Sequence, residues 1–323
     1  MANYQIRKIN VDRGTIHVVA KTPTFPANAY LSSMCVSNNG TLYIADAYND
    51  CIYKLYEDGR LLGCLASVLG GAGDAQATGM LAQPGSVARF YMPFAICVDA
   101  SDNIYVNDSY NGKIKHVSPS GRVITLAGGT FGDRVGNVGT DAKFSPYTYG
   151  ICVDKAGIIY CCDQYFSKIK KIWPSGKSTT LAGGPGGAGV AGFANGLGND
   201  ARFNGPTGVT VDAHGTVYVA DRVNNRIRKI DEAGNVTTLA GNGTYGLVDG
   251  EGAISQFALP RKIAMDPGNQ FMYVMEGTSN SSIRRVTTSG KVTTVMHYNV
   301  PAVLFGDICV DKSGFLYILE NVV

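Results

Sequence analysis

The sequence predicts an all-β fold, a six-bladed β-propeller, from three observations. Residues 203–241 read as four short strands, with alternating β-branched residues between turns rich in Gly, Asn and Asp. This unit recurs along the chain in a constant register. The two ends of the chain supply complementary halves of one further unit. A four-stranded unit repeated in this way is typical of propeller blades.

The landmarks of the repeat align position by position. In the clearest copy the strands are predicted at 208–212, 216–220, 226–230 and 236–240. An acidic residue ends each second strand, and an isoleucine of the third strand follows six residues later in four copies and seven residues later in a fifth. The acids are Asp46, Asp108, Asp163, Asp221, Glu276 and Glu320, and the isoleucines are Ile52, Ile114, Ile169, Ile227 and Ile283.

Five whole blades are predicted, at residues 31–66, 90–128, 144–183, 203–241 and 257–296. Residues 6–20 match only the third and fourth strands of a blade, and residues 306–320 match only the first and second. Pairing these halves would close the ring and remove two exposed sheet edges. We therefore expect residues 1–323 to form one propeller domain whose last blade is a composite of the chain ends.

The segment AGNGTYGLVDGEGAISQFALP, with ADRVNNRIRKI after a second strand, resembles NHL repeats, and residues 203–241 are the closest match. The resemblance implies an NHL-type propeller with four antiparallel strands in each blade. NHL propellers serve as protein-binding, RNA-binding and, in a few relatives, catalytic modules. The resemblance therefore predicts the fold and leaves the function open.

Composition gives little support for a nucleic-acid partner, because only 16% of residues are charged and the net charge is +3. No basic-then-apolar leader opens the sequence, and no apolar run approaches the roughly 18 residues of a spanning helix. We therefore expect synthesis in a cytoplasm without membrane insertion, which is compatible with a component of a virus particle. No cofactor or metal is predicted.

The eight cysteines are expected to be buried thiols rather than disulfides or zinc ligands. Four of them share one position of the innermost strand, and neighbouring blades should hold them too far apart for bridges. Cys161 and Cys162 are adjacent and should point to opposite faces of a strand. No Cys-x2-Cys pair is present. The four equivalent residues are Cys35, Cys97, Cys152 and Cys309.

Two further repeated features favour structural roles. Each loop between blades ends in a phenylalanine that should fill the seam between consecutive blades. Each acid after the second strand should accept hydrogen bonds from the loop that follows it. The phenylalanines are Phe90, Phe144, Phe203 and Phe257.

Catalysis has little support in the sequence. The four histidines are dispersed, and no Ser/His/Asp spacing, His-x-x-x-His pair or Gly-x-Ser-x-Gly elbow is present. A non-enzymatic binding module is therefore favoured. The alternative is a propeller hydrolase or lyase with a metal-dependent site in the central channel, whose ligands would be dispersed among the blades.

The candidate binding surface is the face formed by the loops between second and third strands. Tyrosine occupies one position of this loop in blades one to three, where blades four and five have Val223 and Thr278. The loops before the first strands add Tyr91, Phe94, Tyr147 and Tyr149 on the same face. The predicted partner-binding residues are Tyr48, Asn49, Tyr110, Asn111, Lys113, Tyr165, Phe166, Lys168, Arg222, Asn224 and Arg226.

Aromatic rings with amide and basic neighbours suit a protein or glycan partner. Single-stranded RNA is an alternative partner, because stacking with Lys and Arg also suits single strands. A third possibility is that the tyrosines only pack against the loop of the next blade. The asymmetry between the two halves of the disc favours a contact surface.

Overall fold

The computed structural model describes residues 3–21, 24–66, 83–84, 90–136, 139–184, 191–277, 281–297 and 303–322. It confirms the six-bladed β-propeller, with four main antiparallel strands in each blade and the first strand innermost. Two-residue strands add a fifth member to the sheets of blades two, four and five. No helix among the described residues has the length and apolar character needed to cross a bilayer.

The strands follow one another in chain order. The N-terminal strands are β1 (Asn3–Asn10) and β2 (Thr15–Lys21). Blade one contains β3 (Leu31–Val36), β4 (Leu42–Asp46), β5 (Cys51–Leu55) and β6 (Leu61–Ala66). Blade two contains β7 (Gln83–Pro84), β8 (Pro93–Val98), β9 (Ile104–Asp108), β10 (Lys113–Val117) and β11 (Arg122–Gly128). The short strands β12 (Thr130–Phe131) and β13 (Lys143–Phe144) form a parallel pair.

Blade three contains β14 (Thr148–Val153), β15 (Ile159–Asp163), β16 (Lys168–Ile172) and β17 (Ser178–Ala182). Blade four contains β18 (Gly196–Leu197), β19 (Pro206–Val211), β20 (Val217–Asp221), β21 (Arg226–Ile230) and β22 (Asn235–Ala240). Blade five contains β23 (Gly250–Glu251), β24 (Pro260–Met265), β25 (Phe271–Glu276), β26 (Ser282–Thr287) and β27 (Lys291–His297). The C-terminal strands are β28 (Val303–Val310) and β29 (Leu316–Val322). The 3-10 turns are Ser109–Asn111, Gly139–Asp141, Gly198–Asp200, Arg222–Asn224 and Gly252–Ile254.

The composite sixth blade closes the ring as predicted. Its strand order is β2-β1-β29-β28, so the N-terminal pair supplies the outer strands and the C-terminal pair the inner ones. β1 and β29 are antiparallel, with Ile6 opposite Leu319 and Ile9 opposite Leu316. The edges that each half would otherwise expose are therefore paired with each other.

The hydrophobic core lies in the seams between blades. The four seam phenylalanines are at most 1% exposed, which confirms their predicted role. Phe203, for example, shares a cluster with Ile169 of blade three and Val217 of blade four. Blade one uses Phe25 instead, which is buried 5.8 Å from the Tyr53 ring.

Every innermost strand has a β-bulge at the same position, directly after the residue that pairs with the acid of the second strand. In blade two, for example, the register shifts between Pro93 and Ala95, so that Phe94 is the extra residue. A bulge bends the strand and re-aims the side chain of the extra residue. The bulge residues are Ser32, Phe94, Tyr149, Thr207, Arg261 and Gly306.

The expectation of eight free thiols was wrong for two cysteines. Cys51 and Cys64 form a disulfide between β5 and β6 of blade one, with their Cα atoms 5.8 Å apart. The prediction compared cysteines between blades and did not consider adjacent strands of one hairpin, where such distances are ordinary. The other six are free, and Cys35, Cys97, Cys152 and Cys309 line the central channel, a cavity of about 200 Å³. Burial raises the pKa of each of these four thiols well above its usual value.

Ring closure can be tested by deleting residues 1–20. The deletion removes β1 and most of β2 and exposes the paired edge of β29, so we expect aggregation or loss of the cooperative thermal melt. A synthetic peptide of residues 1–21, added in trans, should restore solubility by pairing with that edge. A soluble truncated protein with an unchanged melting temperature would show that closure does not stabilise the ring.

The disulfide closes a loop of 13 residues, for which loop-closure entropy predicts a stabilisation of about 3 kcal/mol. We expect reductant to lower the free energy of unfolding of the native protein by roughly this amount in urea titrations. The variant Cys64→Ser should begin at the lower stability and should not respond to reductant. Mass spectrometry of unreduced protein without this bridge would contradict the assignment.

Candidate functional site

The acids at the ends of the second strands tie together the two sets of loops on one face of the disc. Asp46 accepts hydrogen bonds from the backbone N–H groups of Tyr30 and Asn49, at 2.9 and 3.2 Å, and so joins the loop before β3 to the loop after β4. Equivalent N–H groups of the preceding loops donate to four of the other acids, so these acids bind the loop before the first strand, and those of blades two to four bind the loop that follows them as well. These pairs are Tyr91 with Asp108, Ser145 with Asp163, Asn204 with Asp221 and Ala258 with Glu276.

Beneath five of these acids lies a buried or half-buried cation. It is the residue after the repeat isoleucine on the third strand, and in blades two to five it also lies 5.0–5.4 Å from the ring centre of the seam phenylalanine. In blade one the hydroxyl of Tyr53 donates to Asp46 instead. The ion pairs are Lys115–Asp108 at 3.0 Å, Lys170–Asp163 at 3.2 Å, Arg228–Asp221 at 2.8 Å, Arg284–Glu276 at 2.7 Å and Arg7–Glu320 at 2.9 Å.

Sequence reasoning missed these pairs, although the signal was present. A basic residue follows the repeat isoleucine in each of these blades, at spacings of seven or eight residues from the acid in blades two to five. A full charge at such a position of a buried strand predicts a buried partner, since unpaired charges are not tolerated in cores.

Nine aromatic side chains form a continuous cluster on this face, across blades one to three. Successive ring centres lie 5.1–6.4 Å apart, within the range of aromatic pairs. Tyr48 is 67% exposed and Tyr165 is 51% exposed. We call this cluster the aromatic surface, and its members are Tyr30, Tyr48, Tyr91, Phe94, Tyr110, Tyr147, Tyr149, Tyr165 and Phe166.

The β-bulges explain how the rings reach one another. Phe94 and Tyr149 are the bulge residues of blades two and three, and their ring centres lie 5.3 Å apart between these neighbouring blades. Phe94 also contacts Tyr30 of blade one, a residue that the sequence did not single out. The tyrosines therefore do pack against neighbouring loops, as the third possibility held, yet four of the nine aromatic residues are 40–67% exposed.

The predicted polar residues are engaged within the chain. The side-chain amides of Asn49, Asn111 and Asn224 donate to the acid three residues earlier, at 2.7–2.9 Å. Lys168 is buried and pairs with Asp133, and Lys113 is also buried. Arg226 stacks 3.8 Å from the ring centre of Phe193 and donates to the carbonyl of Asn242.

The structure thus brings Tyr48, Tyr110, Tyr165 and Phe166 together in the aromatic surface. The polar members of the predicted set lie in or beside the loops of the same face. Arg222 lies at the other side of the same face, in the loop after Asp221. Whether any of the eleven residues contacts a partner stays a prediction. Thr278 and residues 67–82 and 85–89 of the long loop before blade two lie outside the described residues.

A polar network crosses the central channel next to the bulge residues, at the end of the channel that we call its mouth. Lys262 of blade five donates to the carbonyl of Tyr149 at 3.1 Å and lies 3.5 Å from a carboxylate oxygen of Asp307. Asp307 in turn accepts from the hydroxyl of Ser33 at 2.6 Å. In the described part of the chain, no three His, Cys, Asp or Glu side chains are grouped so that they could hold a metal ion.

Comparison with known proteins agrees with the fold. The NHL repeat family matches residues 203–230, which confirms the predicted resemblance. The chain is 35% identical over 138 residues to Protein SUPPRESSOR OF QUENCHING 1, chloroplastic, of Arabidopsis thaliana, and 35% identical over 124 residues to NHL repeat-containing protein 2 of Homo sapiens. These matches cover 39% and 38% of this chain, and only 12% and 15% of the relatives. A solved streptogramin B lyase superposes with a TM-score of 0.57 over 99% of this chain and 98% of its own, at 14% identity, which is a likeness of fold alone.

The buried ion pair can be tested in blade four. Replacing Arg228 by Ala leaves Asp221 buried without its cation, so we expect a loss of about 3–5 kcal/mol in the free energy of unfolding. Lys229→Ala is the matched control, because the neighbouring side chain points to the opposite side of the strand, and it should change stability by less than about 0.5 kcal/mol. Equal effects of the two substitutions in urea titrations would contradict the structural role of the pair.

Proposed function

We propose that this chain, a six-bladed β-propeller of the NHL-repeat family, is a non-enzymatic binding module that recognises a protein or glycan partner through the aromatic surface. The observation that supports this most directly is the continuity of nine rings over three consecutive blades. Contiguous exposed apolar patches are uncommon on soluble proteins and mark interaction sites.

The other half of the same face serves as an internal comparison. Its equivalent loop in blade four carries Val223, and its neighbours Asn224 and Arg226 are engaged in contacts within the chain. If the tyrosines served only to pack the loops, the similar loop of blade four would need an aromatic ring as well. It is ordered without one, held by the Asp221 carboxylate. The rings of blades one to three are thus surplus to loop packing, which favours a contact with a partner on one side of the disc.

Tyrosine supplies a large amphipathic contact area at a small entropic cost, which suits both protein and sugar surfaces. Truncating a central aromatic of an interface typically costs about 2 kcal/mol or more, or roughly thirtyfold in affinity. The exposed positions of Tyr48 and Tyr165 make their removal tolerable for the fold.

The test replaces Tyr48, Tyr110 and Tyr165 together by Ala in the full chain. We expect an unchanged circular dichroism spectrum and melting profile, and loss of binding on a glycan array and in partner capture from native lysate. The control triple variant replaces Leu197, Tyr245 and Ile254 by Ala, which are 58%, 62% and 69% exposed and lie around blades four and five.

The control variant should keep every interaction of the native protein. A tyrosine variant that folds and retains all partners would place the binding site elsewhere. A tyrosine variant that unfolds would show that the rings are needed for packing.

A further inference from the structure

The mouth of the central channel has an aromatic side and a cationic side. Arg261 is the bulge residue of blade five, the position that Phe94 and Tyr149 occupy in blades two and three. Arg222 opens the 3-10 turn of blade four that lies against β24. Arg222, Tyr30 and Tyr149 are all within electrostatic range of Arg261. The two guanidinium groups and the edge of the aromatic surface therefore share one opening.

These two arginines differ from the ion-paired arginines of the blades because they lack a counter-ion. Within the ranges that the structure describes, neither side chain makes a hydrogen bond or an ion pair, and the Nε atom of Arg222 is buried without a partner. Burial, with a further contribution from Arg222, lowers the pKa of Arg261. Asp307, the acid that acts electrostatically on Arg261, is already engaged by Lys262 and Ser33. An anion placed here would relieve the repulsion and satisfy the open donors.

We propose that Arg222 and Arg261 form a subsite for the carboxylate of an acidic sugar, carried at the end of an otherwise neutral oligosaccharide that lies on the aromatic surface. This inference rests on the proposed function and names the chemistry of the partner. The planar guanidinium fork matches a carboxylate with two parallel hydrogen bonds. Each half-exposed ring of the aromatic surface offers an apolar face to one sugar of the chain.

The distribution of charge distinguishes this partner from RNA. A single strand carries a phosphate at every nucleotide, so its binding groove needs cations along the whole track. Beside the aromatic surface, however, Lys168 is paired with Asp133 and Lys113 is buried. Among the described residues of this face, the two arginines without a counter-ion lie at one end, which fits a ligand with one terminal charge.

The backbone of this face also disfavours an extended peptide. Strand addition requires an exposed sheet edge. Here the blade strands end in loops whose N–H groups are bound to the buried acids, as with Tyr30 and Asn49 on Asp46. A ligand on this face therefore has to bind through the aromatic rings and guanidinium groups of side chains. A chain of sugar rings can contact both.

The experiment is calorimetric titration of the full chain with xylotriose carrying one glucuronic acid, and with the same oligosaccharide after reduction of its carboxyl group to the alcohol. We expect the acid to bind about tenfold to a hundredfold more tightly than the reduced form. Arg261→Gln should abolish this preference, and Arg261→Lys should restore only part of it, because the fork is lost. Arg285→Gln is the control, since Arg285 stacks on Phe271 at the opposite end of blade five, and it should keep the full preference.

The subsite is overturned if the acid and its reduced form bind equally, or if the Arg261→Gln variant keeps the native preference for the acid. The proposed function remains intact in that case if the tyrosine variant has lost binding. Failure of both oligosaccharides to bind also overturns it, and the glycan array and capture assay then decide the proposed function separately. Tighter binding of a ten-nucleotide uridine strand or of hexaglutamate than of the acidic sugar would replace the sugar with RNA or an acidic peptide.

Discussion

The buried pair of an acid and a cation above a seam phenylalanine is the interaction on which the rest of the structure depends. The acid stands at 0% exposure in every blade and would cost several kcal/mol to bury alone. Its cation compensates that cost, and its remaining lone pairs accept N–H groups from two loops, as Asp221 does from the Asn204 backbone and the Asn224 side chain. Blade one shows what happens when the cation is lost. Tyr53 donates a neutral hydrogen bond to Asp46. Cys51 occupies the position directly before the repeat isoleucine, which is basic in blades two to four, and its disulfide links the third and fourth strands.

Because hydrogen bonds to the buried acids fix the backbone of these loops, the outward side chains of the loops are not needed to hold the loop conformation. Asp46 is fully buried while Tyr48, two residues later, is largely exposed. The β-bulges extend the same division to the innermost strands, because the extra residue turns toward the mouth while its neighbours keep their pairing. The six equivalent positions carry different side chains from blade to blade. They hold Phe94 and Tyr149 on one side, Arg261 on the other, and small residues between them.

The sequence predicts the fold well because the signals for strands, turns and seams are local and repeat in register. The innermost strand of blade four was predicted from Gly208, whereas it begins at Pro206, before the bulge. A bulge shifts the register by one residue and leaves no mark in the alternation of side chains, so the shared position of Phe94, Tyr149 and Arg261 could not be deduced. Lys168 was assigned to a binding face although it is buried and paired with Asp133, because pairing depends on contacts between segments that are distant in sequence. The disulfide lies in blade one, which departs most from the repeat. The prediction compared cysteines at equivalent positions of different blades, and Cys51 and Cys64 have no such equivalents.

The neck of the channel limits what kind of ligand the mouth can accept. Lys262 and Asp307 bridge three blades just below the bulge residues, with the carbonyl of Tyr149 on the far side. The cavity beneath is lined by thiols whose pKa values are raised by burial, so they stay protonated and behave as small apolar groups. A ligand that reached them would have to break a charged network and bury its own polar groups against sulfur. Under the proposed function, this network keeps the body of the ligand on the outer face and leaves the mouth to hold one of its groups.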